Sequence, residues 1–429
     1  MYKILIRPLI VEDAAISWRW RNDAEVWKET GQKPDKPITF EIENEWISRV
    51  VKEQTTKRFA ITVDNQYVGN VQLTDVIDST AQLHIFIGEK SFWGKGIANQ
   101  AVYQMLNYAK EILKLTDVYL HVKKSNKAGI KVYLKNSFVE VAFDNDQVKM
   151  SCKLEDLIAP TISIFCMVYN HEKYIANAIE GFLMQKTNFN SVIVIGEDCS
   201  RDGSRKVIDS YVERYPGKFK LMYHDVNVGA HKNQEIILKN CNGKYVAICE
   251  GDDYWTDPFK LQTQVDFLEW NDTYGICFTD YKIYNQNTNT YDHPNLIEKY
   301  KSKNSFSRNE IVLDNFIPTL TSVFRNRHEI IQYLEKEFFP GDWFIHILNA
   351  KFGKIKFLPI NSAVYRKHGG GVCSSSDPIL NNSKYLKSIE IFRKQFRTDY
   401  ILQLLFFITK TKIRFQSLKF RLKHILKRE

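Results

Sequence analysis

Carboxylates clustered at the ends of apolar stretches are the residues in this sequence best placed to do chemistry. Glu250-Gly251-Asp252-Asp253-Tyr254-Trp255 follows Tyr245 to Cys249, an apolar run that reads as a buried strand. Gathered carboxylates supply the oxygen ligands that a hard divalent cation takes. A cation there can neutralise a departing diphosphate. Met167-Val168-Tyr169-Asn170 and Gly196-Glu197-Asp198-Cys199-Ser200-Arg201-Asp202-Gly203-Ser204 also end apolar strands. Ligands of open α/β sheets bind at such carboxyl ends. Tyr169 can stack on a nucleobase, and Asp198 can accept from a base N–H. Asp202 reads as the cap of the helix that follows. Gly341-Asp342-Trp343 adds one more acid, in what reads as a loop.

A second kind of site lies nearer the N-terminus. Phe92-Trp93-Gly94-Lys95-Gly96-Ile97-Ala98 joins a strand to a helix. Glycines there let backbone N–H groups approach an anion, and the helix N-terminus adds partial positive charge. A pyrophosphate suits such a cradle. His84 and Glu89 flank it but rank low as bases. Trp18, Trp20, Arg21, Asn22, Asp23 and Trp27, with Trp46 beyond, form a dense aromatic and charged segment before it.

The elements that must position these residues fall into two groups. The front group reads as a strand at Ile4–Arg7, a helix at Ala14–Arg21, and a hairpin of Phe59–Val63 and Tyr67–Leu73 turning at Asp64-Asn65. Ala81–Ile87, a helix over Ile97–Ile112, Val118–Val122 and a short helix over Ala128–Lys135 follow. After Pro160, strands Ile162–Val168, Ser191–Ile195, Lys220–Tyr223 and Tyr245–Cys249 alternate with helices, which indicates a doubly wound parallel sheet. The expected organisation is a mixed α/β domain over 1–152, a linker over 153–160, a doubly wound α/β domain over 161–380, and a basic helical tail over 381–429.

Two family resemblances sharpen this. Trp93, Gly96 and Ala98 occupy the three positions of the Q/R-x-x-G-x-G/A motif, and Asn126 to Phe138 looks like N-x-x-A…Y-x-x-x-G-F, so the front domain resembles the GNAT N-acetyltransferases. Trp93 and Ser137 depart from that pattern. The resemblance implies acetyl-CoA held by Trp93, Gly94, Lys95, Gly96, Ile97, Ala98 and Asn126, with Tyr133 protonating the departing CoA thiolate. The second domain resembles the inverting family 2 glycosyltransferases of GT-A fold, Rossmann-like and doubly wound. It does so through T-I-S-I-F-C-M-V-Y-N-H-E-K-Y-I, E-D-C-S-R-D-G-S, N-V-G, E-G-D-D-Y-W-T-D-P and G-D-W. That resemblance implies a nucleotide-diphosphate sugar, UDP-type, bound by Tyr169, Asp198, Glu250, Asp252, Asp253, Arg366 and His368. It also implies Mn²⁺ or Mg²⁺ on Asp252, Glu250 and His368, and Asp342 as general base. Tyr365 to Gly371 looks like the segment that closes over the diphosphate.

Composition bounds the rest. A chain of 429 residues exceeds one ordinary core, and 44% hydrophobic with 26% charged residues is ordinary for a globular protein. Seven cysteines without CxxC spacing argue against a disulfide framework or a zinc site and for a reducing cytoplasm. No signal peptide or membrane-spanning run is expected. The net charge of +10 is concentrated between Arg393 and Glu429, where eleven basic residues face only Asp399 and Glu429. The two domains are then close to neutral, which weakens any nucleic-acid reading. Phe415, Leu418, Leu422, Ile425 and Leu426 recur at helical spacing among those cations, the pattern of a helix lying on an anionic membrane face. The expectation is a bifunctional enzyme of surface glycan assembly at the inner face of the cytoplasmic membrane. It would transfer a sugar to a glycan or lipid-linked acceptor and N-acetylate an amino sugar. A front domain that only binds, or one that acetylates proteins, is the alternative.

Overall fold

A computed structural model describes residues 1–28, 35–53, 55–144, 146–333, 341–369 and 378–425. The chain divides into two compact units. One is Met1–Thr161 with Lys186–Val192 and Ile208–Lys220, and the other is Ile162–Gln185, Ile193–Val207 and Leu221–Glu429.

The first unit is built on a seven-stranded sheet, β1 (Ile4–Pro8), β2 (Lys57–Val63), β3 (Gln66–Ile77), β4 (Thr80–Ile87), β5 (Asp117–Lys123), β6 (Val139–Phe143) and β7 (Gln147–Lys153), in the order β1-β2-β3-β4-β5-β7-β6. Its helices are α1 (Ala14–Arg21), α2 (Ala24–Trp27), α3 (Phe40–Val50), α4 (Ile97–Glu111) and α5 (Lys127–Leu134). Alternation decides the two faces. Ala81 and Leu83, and Val118, Leu120 and Val122, turn to the core that holds Ile97, Ala101 and Met105 of α4. Trp20 and Ile47 form a separate cluster with Ala60 and Tyr67. The β2–β3 hairpin turns where expected, with Asp64 and Asn65 both at positive φ (48° and 71°).

All strands pair antiparallel except β4 and β5, which run parallel and pair only from Thr80–Asp117 to Gln82–Tyr119. Beyond that point β4 continues to Ile87 and β5 to Lys123, so the two strands part. The chain leaves the parted ends into α4 and α5. β6 and β7 were not legible in advance: Gln147–Lys153 is mostly polar and charged. The segment expected to be a linker begins as part of the core, since Lys153 ends β7 and Leu154 is buried.

The second sheet has nine strands: β8 (Ile162–Val168), β9 (Ser191–Glu197), β10 (Phe219–Tyr223), β11 (Tyr245–Ile248), β12 (Tyr254–Trp255), β13 (Tyr274–Asn285), β14 (Thr290–Asp292), β15 (Val323–Arg325) and β16 (Lys354–Lys367). The order is β10-β9-β8-β11-β15-β13-β16-β12, with β14 on β13. β8 and β11 pair parallel, Ile162 opposite Tyr245. β15 runs antiparallel to both β11 and β13, so the sheet is mixed rather than wholly parallel. Helices α6 (Ile175–Leu183), α7 (Ser204–Arg214), α8 (Ala230–Asn240), α9 (Lys260–Trp270), α10 (Leu296–Tyr300), α11 (Arg308–Leu313) and α12 (Gly341–Asn349) complete this part.

The tail forms α13 (Pro378–Gln395) and α14 (Tyr400–Ile425). Its inner face belongs to the core: Phe392, Leu402 and Phe406 are buried, Phe392 packs on Phe344 of α12, and the Thr409 hydroxyl donates to the Val312 carbonyl of α11 at 3.0 Å. Ile401, Leu404, Phe407, Ile408, Phe415 and Leu418 stay exposed on the opposite side of α14. Leu422, Ile425 and Leu426 of the expected pattern fall outside the described side chains. Among the described residues, no helix is long and apolar enough to cross a membrane.

Candidate active sites

In the second unit the carboxyl ends of β8, β9 and β11 carry the expected segments, each locked by local hydrogen bonds. Asn170 and Cys199 both turn the chain at positive φ (56° and 55°). The Asn170 side chain accepts from the Arg201 N–H at 2.8 Å. Asp202 accepts from the Ser204 N–H at 3.0 Å and from the Glu172 N–H at 3.1 Å, so it caps α7 and ties the two turns together. Asp198 is buried, and its carboxylate accepts from the N–H groups of Val228 and Gly229 at 2.7 and 3.0 Å. Its charge thus shapes the Asn-Val-Gly loop. Glu197, not singled out in the sequence, is fully buried and bound by Arg205 at 2.5 and 2.8 Å. Tyr169 is 39% exposed.

The acidic turn after β11 gathers Glu250, Asp252 and Asp253, whose ligand oxygens lie within 4.8 Å of one another. Burial, then the charge of Asp252 and that of Asp342, pushes the Glu250 carboxyl up to about 8. Asp253 is pushed well up by burial and by Asp252. Asp252 goes the other way. Burial alone would raise it, but the hydrogen bond from His368 and the charges of His171 and His368 bring it below the usual range. His368 Nε2 lies 3.0 Å from Asp252 Oδ2. Asp252 Oδ1 is buried without a hydrogen-bond partner among the described residues. Three carboxylates, a buried oxygen lacking a donor and an adjacent imidazole are a donor set that fits a divalent cation.

Arg366 and His368 reach this turn along β16. The Arg366 N–H donates to Asp253 Oδ1 at 2.8 Å and its Nε to the Asp252 carbonyl at 2.9 Å. The guanidinium lies 5.0 to 5.7 Å from the rings of Tyr174, Tyr254 and Tyr284, which hold it by cation–π contact. Gly370 and Gly371 of the expected closing segment fall outside the described residues. Asp342 is not in a loop but in the first turn of α12. Its charge reaches Glu250, and it accepts from Thr319 Oγ1 at 2.5 Å. Nothing in Pro318-Thr319-Leu320 signalled that contact.

In the first unit, Gly94 and Gly96 both take positive φ (74° and 78°), and Gly96 is the residue from which α4 starts. That turn aims the first N–H groups of α4, those of Ile97 and Ala98, out of the helix end. Trp93 is 43% exposed and donates its indole N–H to the Ile87 carbonyl at 2.8 Å, which secures the turn to β4. Lys95 extends over the rings of Tyr2 and Phe92. Asn126 caps α5, accepting from the Gly129 N–H at 2.8 Å. Tyr133 is largely buried, and burial pushes its hydroxyl up to about 12. Ser137 takes the positive φ (65°) that a glycine would favour.

A family model for glycosyl transferase family 2 matches residues 163–333, and one for the acetyltransferase (GNAT) domain matches residues 3–139. An uncharacterized glycosyltransferase of Nostoc is 30% identical over 258 residues, which is 57% of this chain and 76% of that protein. An uncharacterized protein of Mycobacterium tuberculosis is 35% identical over 216 residues, 50% of this chain. The chain spans about three fifths of that relative's length (61%). An Escherichia coli spermidine N(1)-acetyltransferase is 27% identical over 139 residues, 32% of this chain and 73% of that one. The chain belongs to the family 2 glycosyltransferases. Its particular feature is the GNAT acetyltransferase domain fused in front.

Proposed function

We propose that the second domain transfers a sugar from a UDP-type donor to a hydroxyl of a glycan or lipid-linked acceptor with inversion, and that the front domain N-acetylates an amino sugar from acetyl-CoA. The observation that carries the first half is Asp342, fixed at the start of α12 with its charge acting on Glu250. Asp342 takes the proton of the acceptor hydroxyl. The acceptor oxygen then attacks C1 of the donor sugar, the bond from C1 to the diphosphate oxygen breaks, and the nucleoside diphosphate leaves from the opposite face. Tyr169 stacks on the base and Asp198 shapes the loop beside it. Arg366 presents its guanidinium to the diphosphate. Asp252, Glu250 and His368 would hold a divalent cation, which would supply positive charge to the leaving diphosphate.

For the front domain, the parting of β4 from β5 beside the Gly94–Gly96 turn supports a cleft for acetyl-CoA. The acceptor amine attacks the thioester carbonyl, the C–S bond breaks and the thiolate takes a proton from Tyr133, whose phenolate is restored, through solvent, by the proton that the amine nitrogen gives up. An N-acetylated sugar made here can serve the second domain as part of its donor or product, for an assembly such as a surface glycan. The outer face of α14, with exposed Leu404, Phe407, Ile408 and Phe415 and the cations Lys412 and Arg414, supports a location against an anionic membrane at its cytoplasmic side. One experiment tests both halves. The protein is incubated with acetyl-CoA and a panel of UDP-amino sugars, then with UDP-sugars and glycan acceptors, and products are read by mass. Acetylated and glycosylated products are expected. Acetylation of spermidine or of a protein in place of every amino sugar would overturn the front-domain reading.

A further inference from the structure

We infer that Trp255 is a positioning residue for Asp342: through the turn Thr319–Thr321 it sets where the proposed base stands relative to the acidic turn. The inference rests on the reading of Asp342 as the base of glycosyl transfer. Trp255 closes the short strand β12, two residues after Asp253, and is buried. Its indole N–H donates to the Leu320 carbonyl at 2.8 Å. Leu320 is the middle residue of Thr319–Thr321, a single 3₁₀ turn, and Thr319 at its start donates to Asp342. The end of the acidic segment and the carboxylate on α12 are therefore linked by two hydrogen bonds and one short turn.

The indole is fixed from several sides. The Lys260 ammonium on α9, fully buried, lies 4.5 Å from the Trp255 ring centroid, and Phe182 of α6 meets the ring edge-on at 4.8 Å. The same ammonium donates to Gln264 Oε1 at 2.5 Å and to the Thr321 carbonyl at 3.4 Å, and the Gln264 amide donates to that carbonyl at 2.9 Å. Trp255 and this Lys–Gln pair thus hold successive carbonyls of the one turn. The Trp255 backbone is held as well. It pairs with Ala363 on β16, the strand that carries Arg366 and His368. A Cβ on Gly181 of α6 would lie 2.8 Å from the Trp255 backbone nitrogen and 3.0 Å from its carbonyl oxygen, so the helix packs directly on it. Burying an ammonium costs stability, and here that charge serves the indole and the turn rather than a carboxylate. Catalytic groups need placing to within about 0.5 Å. A rigid aromatic bonded to the turn's carbonyl supplies such placement without meeting the substrate.

The test uses the full chain with ¹³C at the aspartate carboxyls, Asp342 being assigned by the resonance that Asp342→Asn removes. Thr319→Val is expected to move that resonance. Trp255→Phe keeps a ring and loses the N–H. It is expected to move the resonance the same way, and the double variant no further than Thr319→Val alone. Glycosyl transfer is followed with the UDP-sugar and acceptor that the mass panel selects. There kcat of Trp255→Phe is expected to fall about fivefold, with donor KM and UDP affinity near native. The double variant is again expected to be no slower than Thr319→Val. Should Trp255→Phe fail to fold, Lys260→Met serves in its place. It keeps an apolar stem without the cost of a buried charge, and about a threefold fall in kcat with the same non-additivity is expected. An unmoved Asp342 resonance in Trp255→Phe, effects that add in the double variant, or a loss of UDP affinity matching the loss of kcat would each overturn the proposal. The carboxyl resonance needs no substrate, so it decides where transfer is not observed. Native turnover in Asp342→Asn removes the base reading itself, whereas an inactive Asp342→Asn beside native kcat in Trp255→Phe removes only the positioning role.

Discussion

Thr319 Oγ1 donates a 2.5 Å hydrogen bond to Asp342 Oδ2, joining a short turn before β15 to the first residues of α12. A short bond to a carboxylate fixes its rotamer and leaves the other oxygen to meet a substrate hydroxyl. Asp342→Asn keeps the shape and removes the base, and is expected to lower glycosyl transfer by ~10²- to 10⁴-fold. UDP affinity should stay near native. Thr319→Val removes only the donor, and a fall in kcat of about tenfold is expected. Near-native turnover in Asp342→Asn would show that the base lies elsewhere.

Asp252 gives a separable prediction. Asp252→Ala, or excess chelator, should abolish glycosyl transfer and weaken UDP binding. Acetyl transfer should be indifferent to the chelator, because the cradle proposed for its cosubstrate's pyrophosphate is a helix end offering backbone N–H groups rather than a metal. Full glycosyl transfer in chelator would remove the cation from this reaction.

Tyr133 tests the front domain alone. With its hydroxyl pushed up to about 12 by burial, Tyr133 keeps its proton through the neutral range and has it ready to donate. Tyr133→Phe should slow acetylation by ~10²-fold or more while glycosyl transfer keeps its native rate. An unchanged acetylation rate would assign the proton to another group.

His346 lies one turn beyond Asp342 on α12, fully buried, with neither ring nitrogen hydrogen-bonded among the described residues. Burial lowers its pKa from 6.5 to about 4, against a smaller opposing effect of Asp342. The unfolded chain therefore takes up a proton that the folded chain refuses, so stability is lost as pH falls from 6.5 toward 4. The loss is on the order of 3 kcal/mol when complete. Denaturant titrations across that interval should show the slope, and His346→Leu should flatten it. An equal slope in the variant would place the acid sensitivity in other groups.

The tail separates into two faces with different expected consequences. Phe406→Ala on the buried face should cost ~3 kcal/mol of stability. Replacing Leu404, Phe407 and Phe415 by Ser should leave stability close to native but release the protein from anionic vesicles in a sedimentation assay. Removing the whole tail would confound the two, because Leu402 and Phe406 belong to the core. If the triple variant sediments as the native protein does, the outer face has another role.

Most of the strands and helices that carry the sites were legible because their signals are local. Ile162 to Val168 is apolar throughout, and Asp64-Asn65 is a turn pair whose left-handed backbone needs no distant contact. β7 was not legible, since its pairing with β5 depends on residues far away rather than on its own mostly polar composition, and β6 joins the sheet only through β7. The mixed direction of the second sheet was hidden for the same reason. β15 is only three residues long, and nothing local to Val323–Arg325 says that it enters between β11 and β13.

By itself the sequence determined that two α/β domains are present, and it put Asp198, the Glu250–Asp253 acids, the glycine turn and Tyr133 at the ends of their strands and helices, but left Asp342 in a loop. Spacing along the chain is enough for that, because strand ends and helix starts are written in neighbouring residues. Only the tertiary structure decided what surrounds those groups. It joined Thr319 to Asp342, closed Asp198 onto the Val228 and Gly229 amides, and brought His171 and His368 to Asp252 Oδ2. It also turned half of a basic tail inward. Burial and charge proximity set these properties, and both depend on which distant segments the fold brings together.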